Sequence, residues 1–169
     1  ADSLRLGGDM HTSETTKWDE AEGRMQVFQK KNVLATSVEG GAAYLKSPRM
    51  VEYLATLGRF VVPLVNAEFA HARLSSQLFS NKLAVCLGDG SKYDKHYDNN
   101  GPGDLRKLTM LLYLQSGWEQ SQGGCFRMFT NGATLDNSNN APGVVAGMDE
   151  DGHTFVDIAP IGGRLLAFW

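Results

Sequence analysis

The chain has 169 residues, 42% of them apolar, a net charge of -3 and two cysteines. That length and apolar content suit a single domain with one core, while the weakly negative charge excludes a broad electrostatic grip on nucleic acid, and the low cysteine count a disulfide scaffold. No apolar run approaches a membrane span, and the first residues, ADSLRLGGDM, have no basic start followed by an apolar stretch, so the expected partner is a small molecule or another protein.

In chain order, residues 1 to about 46 are polar and glycine-containing, with mixed helix signals across Lys17 to Lys31 and a flexible step at Glu39-Gly40-Gly41. Ser47-Pro48 reads as an N-cap followed by proline at the first helical position, and Met50, Val51, Leu54 and Leu57 recur at helical spacing. Phe60 to Leu64 is ambiguous, because its β-branched residues favour a strand that Pro63 interrupts. Phe69, Ala70, Leu74 and Leu78 predict a second helix within Asn66 to Phe79.

From Lys82 the apolar runs shorten and glycine turns separate them. The predicted strands are Leu83 to Leu87, Tyr93 to Asp98, Leu108 to Leu114, Cys125 to Phe129, Thr154 to Ile158 and Arg164 to Trp169. Thr130 to Gly152 reads as a long exposed loop. Cys86 and Cys125 lie in apolar strand-like runs and are expected as reduced core residues. The organisation is α+β, with a helical support region at 1–79 and a β core at 80–169 built as a barrel or sandwich.

The chemistry centres on His96-Tyr97-Asp98. Residues i and i+2 of a strand share a face, so an imidazole and a carboxylate at this spacing can hold one metal ion; the same triplet also arises as a solvated turn. Its surroundings are more specific. The stretch from Lys82 to Asn100, KLAVCLGDGSKYDKHYDNN, resembles the approach to the iron site in 2-oxoglutarate-dependent, Fe(II)-requiring dioxygenases of the prolyl 4-hydroxylase type. Arg106 to Leu114, Trp118, Gly123-Gly124, Phe126 to Phe129, Asp157 to Pro160 and Gly163 to Trp169 continue the likeness in order, and it is strongest to the oxygen-sensing, cytoplasmic or nuclear branch.

The resemblance implies a double-stranded β-helix, or jelly roll, carrying N-terminal helices, with the last two core strands absent. It implies Fe(II), 2-oxoglutarate as cosubstrate, O2, ascorbate as reductant, and a proline-containing protein or peptide as substrate, in the cytoplasm or nucleus. Such enzymes use two histidines and one carboxylate on one face of the metal, leaving positions for 2-oxoglutarate and O2. His96 and Asp98 match the first two ligands, and Tyr113 matches the tyrosine at the distal carboxylate of 2-oxoglutarate. Read without the resemblance, Tyr113 is a core aromatic. Tyr93 is expected at the same cavity or as a packing residue on its rim, Arg106 near the substrate channel or in solvent, and Trp118 and Arg164 in structural roles.

The family's second iron-binding histidine and its basic partner for 2-oxoglutarate follow the strand that here reaches Trp169, and neither is in the sequence. Three readings stay open: part of a longer active enzyme, replacement of the lost ligand by His153, or a jelly-roll binding module without catalysis. A 2-oxoglutarate oxygenase acting on something other than proline is a further alternative. Leu87 also stands where the oxygen-sensing branch places a tyrosine, so the pocket is expected to be lined differently.

Overall fold

In the computed structural model, the structure describes residues 4, 7–99, 101–130 and 141–169. They form two compact units, residues 1–107 and 108–169.

The first unit opens with a hairpin of β1 (His11–Asp19) and β2 (Arg24–Ser37). Its tip is an Asx turn, in which Asp19 Oδ1 accepts hydrogen bonds from the backbone N–H groups of Ala21 and Glu22 at 2.9 and 3.0 Å. The mixed helix signals at Lys17 to Lys31 are therefore overturned: the residues lie in strands, because β-branched Thr15, Thr16 and Val27 favour a ladder and a local turn closes it. The ladder is irregular in the middle. Glu14 pairs with Gln29 but Thr12 pairs with Leu34, so Ser13 alone faces residues 30–33 of β2. This is a large special bulge, one residue against four, with Asn32 left-handed at φ 53°.

β3 (Lys82–Cys86) joins the other edge of β2, antiparallel, with Val33 opposite Cys86 and Ser37 opposite Lys82. Between these strands run α1 (Gly40–Lys46) and α2 (Pro48–Glu68). Gly40 and Gly41 both take positive φ at the start of α1, so the glycine pair is a turn into the helix. Pro48 does start α2, which then continues through Phe60 to Leu64 and past Pro63 as far as Glu68. The ambiguity of that stretch resolves to helix, since the apolar positions continue the helical face begun at Met50. The second helix expected at Asn66 to Phe79 is also absent. Asn66 instead ends the helix locally, its side chain donating to Leu74 O at 2.9 Å and accepting from Leu74 N at 2.7 Å, which ties residues 69–74 into a turn.

Leu4, Val38, Ala43 and Leu83 form the core of this unit, with Met10, Met50, Val51 and Leu54 packed against it. Val33 is 0% exposed. Val33→Ala is expected to destabilise the chain by about 2 kcal/mol in denaturant unfolding, the cost of lost burial plus a cavity that the bulged strand closes only in part.

The second unit holds a two-stranded sheet, β4 (Thr109–Leu112) with β8 (Leu165–Phe168), and a three-stranded sheet in the order β5 (Phe126–Phe129), β7 (Thr154–Ile158), β6 (Val144–Met148). All pairings are antiparallel. Central β7 buries Val156 and Ile158, and the rings of Phe126 and Phe168 meet at 4.9 Å between centroids, joining the two sheets. Of the expected loop at Thr130 to Gly152, residues 131–140 lie outside the described residues, and Val144–Met148 is a strand. Gly147 permits that pairing, because a β-carbon there would lie 2.6 Å from the Phe155 ring. Trp118 closes the turn before β5, its Nε1–H donating to Gly123 O at 2.8 Å, and Arg164 donates to the carbonyls of Ala159 and Pro142. Cys86 and Cys125 are free but exposed, which corrects their expected core placement: on β3 it is Leu83 and Val85 that turn inward, so Cys86 points out.

The protein is thus mixed helix and sheet with antiparallel strands. No helix among the described residues is long and apolar enough to cross a membrane.

Candidate metal centre

His96 and Asp98 lie on the long connection between β3 and β4, in the first unit. The strand predicted at Tyr93 to Asp98 is not formed. Gly88, Asp89 and Gly90 all take positive φ, and the following polar residues bond to their own loop instead of to a ladder: Gly88 N–H donates to Ser91 Oγ at 3.2 Å, and Ser91 N–H donates to Gly88 O at 3.0 Å. The side chains nonetheless alternate as in an extended segment. Tyr97 is 85% exposed, while His96 and Asp98 turn toward each other.

His96 Nε2 and Asp98 Oδ1 are 3.2 Å apart, and His96 Nδ1 contacts the backbone oxygen of Asp94. A carbonyl oxygen only accepts, so Nδ1 carries the proton. In the neutral ring Nε2 is then a lone pair aimed at a carboxylate oxygen. Two facing lone pairs attract only through a cation between them, either a proton on Nε2 or a metal ion. The tautomer fixed by the Asp94 carbonyl is the one that ligating histidines adopt. One imidazole nitrogen and one carboxylate oxygen also form a donor set suited to Fe(II).

Downstream, Asn99 fastens the next arm of the loop. Its side-chain amide donates to the carbonyls of Asp104 and Arg106, and its Oδ1 accepts from Gly101 N–H at 2.8 Å. Its position after the His-X-Asp step in an Asn-Asn-Gly sequence is the signal that would have marked it as a loop anchor. Arg106 folds back on Asp104, with Nε 3.0 Å from each carboxylate oxygen. The Asp104 hydrogen bond holds its guanidinium above the ordinary range against an opposing desolvation, and the charges of Asp104 and Asp98 act in the same direction as the bond. Arg106 is therefore within electrostatic reach of the ligand pair, but its fork is occupied by a neighbour.

Tyr93 packs against the bulge of β2. Lys30 Nζ lies 3.9 Å from its ring centroid. Although 44% of its surface is exposed, shielding from water and the nearby Cys86 thiol raise the phenol above its ordinary range, with the Ser13 hydroxyl opposing them. Tyr113 belongs to the second unit, one residue beyond β4, where its backbone bonds Arg164 O at 3.0 Å and Gly163 N at 2.8 Å. The structure thus brings together His96 and Asp98, with Arg106 close by.

Residues 81–169 match the 2OG-Fe(II) oxygenase superfamily, and this stretch is more than half of the chain. The chain belongs to that superfamily. Prolyl hydroxylase EGLN3 of Homo sapiens is 30% identical to it over 92 residues, covering 53% of this chain and 30% of the relative, and the Mus musculus EGLN3 gives the same figures. The chain thus spans under a third of the length of these curated relatives. No solved structure matches it. Fe(II) and 2-oxoglutarate are the metal and cosubstrate the superfamily implies.

His153 belongs to the second unit, on the turn between β6 and β7. It is joined to Asp149 through its backbone N–H, 2.7 Å from Oδ1, and its Nδ1, 3.2 Å from Oδ2. Asp151 completes a group whose ligand atoms lie within 4.8 Å of one another. The turn's own hydrogen bonds account for the cluster.

Proposed function

We propose that His96 and Asp98 are two of the Fe(II) ligands of a 2-oxoglutarate- and O2-dependent hydroxylase that acts on a peptidyl proline, with ascorbate as the reductant that keeps the metal ferrous. The observation that carries this is the Nε2 to Oδ1 approach of 3.2 Å, with Nδ1 already turned to a backbone carbonyl. When bound, the iron and 2-oxoglutarate together supply the oxidising power for hydroxylating an unactivated carbon. The residues of this chain orient and hold: the Asp94 carbonyl sets the imidazole tautomer, and Asp98 brings the negative charge. Tyr113 is assigned to the distal carboxylate of 2-oxoglutarate. Tyr93 and Arg106 flank the site, the first at the loop before it and the second toward the substrate. The name prolyl hydroxylase carried by the EGLN3 relatives favours proline over other targets.

The test is succinate release from 2-oxoglutarate by the full-length protein with Fe(II), against peptides with and without proline. Proline-stimulated succinate that disappears in His96→Ala is the expected result. Succinate that no proline peptide increases would move the assignment to another substrate, and no Fe(II)-dependent succinate at all would remove the hydroxylase reading.

A further inference from the structure

Three consecutive residues of β2, Lys30, Lys31 and Asn32, all meet the segment that leads to His96. In a regular strand successive side chains point to opposite faces, so this is possible only because the pleat is broken. The break is the bulge at which Ser13 faces residues 30–33, with Asn32 at φ 53°. Lys30 Nζ covers the Tyr93 ring at 3.9 Å, and Lys31 Nζ lies 3.7 Å from where a β-carbon on Gly90 would stand. Asn32 does most. Its backbone oxygen accepts from Leu87 N–H at 2.9 Å, and its side-chain amide donates to Gly88 O at 3.4 Å and Asp89 O at 3.3 Å. Buried Ser13, opposite the bulge on β1, accepts from Lys82 Nζ at 3.1 Å. The turn from Leu87 to Tyr93 is thus bonded at its start by Asn32 and covered at its end by Lys30, both on one distorted piece of strand.

We propose that Asn32, supported by Lys30 and Lys31, is a positioning residue for the metal centre: it fixes the path of Leu87 to Tyr93 so that His96 and Asp98 arrive already facing each other. This rests on reading those two residues as metal ligands. A left-handed backbone is unfavourable for most side chains, and asparagine is among the few that tolerate it. Here the conformation aims the amide at two carbonyls that the turn leaves pointing out of any ladder. A bulge beside a functional loop commonly re-aims side chains in this way. No residue of the clamp touches the metal in this account, and its effect passes through the loop backbone.

The experiment uses the chain with Mn(II) as a paramagnetic probe, following broadening of the backbone amide signals of Lys95 to Asn99, together with hydrogen exchange at Gly88 to Tyr93. Asn32→Gly keeps the left-handed backbone accessible and removes only the side-chain amide; Asn32→Ala removes the amide and adds strain. In Asn32→Gly the Mn(II) concentration at half-broadening is expected to rise on the order of tenfold, as for other residues that orient ligands from outside the metal shell. Exchange at Gly88 to Tyr93 should rise with it, while β7 stays as protected as before. A protein that binds Mn(II) through His96 and binds it equally well as Asn32→Gly would overturn the clamp alone. If the unaltered protein shows no broadening that His96→Ala removes, the ligand reading falls and takes the clamp with it.

Discussion

Asp98→Asn is expected to raise the Mn(II) concentration needed for half-saturation by more than about a hundredfold, beyond the upper end for residues that only orient ligands, while shifting the unfolding free energy by no more than about 0.5 kcal/mol. The two expectations follow from one geometry. Asparagine keeps the shape of the side chain but removes its negative charge, and a neutral amide oxygen is a poor substitute for carboxylate in a small set of hard donors. Stability barely changes because the pair is open to water: 42% of the His96 side chain and 31% of the Asp98 side chain are exposed. An exposed ion pair is worth little to folding. Metal titration of the variant beside a urea melt checks both at once. A large loss of stability with metal binding intact would show the pair to be a structural contact of the loop.

The largest effect on stability is expected from a glycine. Gly162→Ala should destabilise the second unit by about 3 kcal/mol, because the added β-carbon would overlap the backbone oxygen of Gln115. A flexible side chain would swing aside; a main-chain carbonyl between β4 and the next turn does not. Its neighbour needs glycine for a different reason. Gly163 has open space around it but takes φ 84°, so Gly163→Ala is expected to cost only about 1 kcal/mol, the strain of a left-handed residue. Denaturant unfolding of the two variants tests the distinction. Equal costs would mean that the loop moves freely away from Gln115.

How much of this is legible in the sequence depends on whether a segment's pattern reflects burial. β3, β4, β5, β7 and β8 were all expected within a residue or two of where they lie, because each is a short apolar run bounded by turn residues. β1 and all of β2 were missed, the outer half of the hairpin for the opposite reason. Met25, Val27 and Phe28 are exposed there, the charged and polar residues between them show no inward face, and only the Asp19 to Gly23 turn betrays the hairpin. Pro63 obscured the helix in a third way: the helix runs through it to Glu68, anchored on the core before it by Val51 and Leu54.

At the site, the spacing of His96 and Asp98 was readable and their meeting follows it, although not on a strand. What the spacing does not carry is the support. Asp94 contributes only a carbonyl, which any residue has, and Asn32 lies 56 positions before Gly88 in sequence separation, so nothing local links them. Asn99 alone had a local signature. The second ligand histidine of the resemblance follows the strand that reaches Trp169 and is not in the sequence; the cluster around His153 belongs to the other unit.

The interrupted ladder of the first hairpin also separates two mechanical regimes. Inside the bulge, β2 is pinned by β3 and by the loop it grips; outside it, the arm from Glu14 to Gln29 is a two-stranded ribbon ending in the Asp19 to Gly23 tip. Strain or bulk introduced at that tip meets a break in hydrogen bonding before it reaches Val33. The outer arm is therefore a natural attachment point, where a label or an inserted sequence would be insulated from the metal centre.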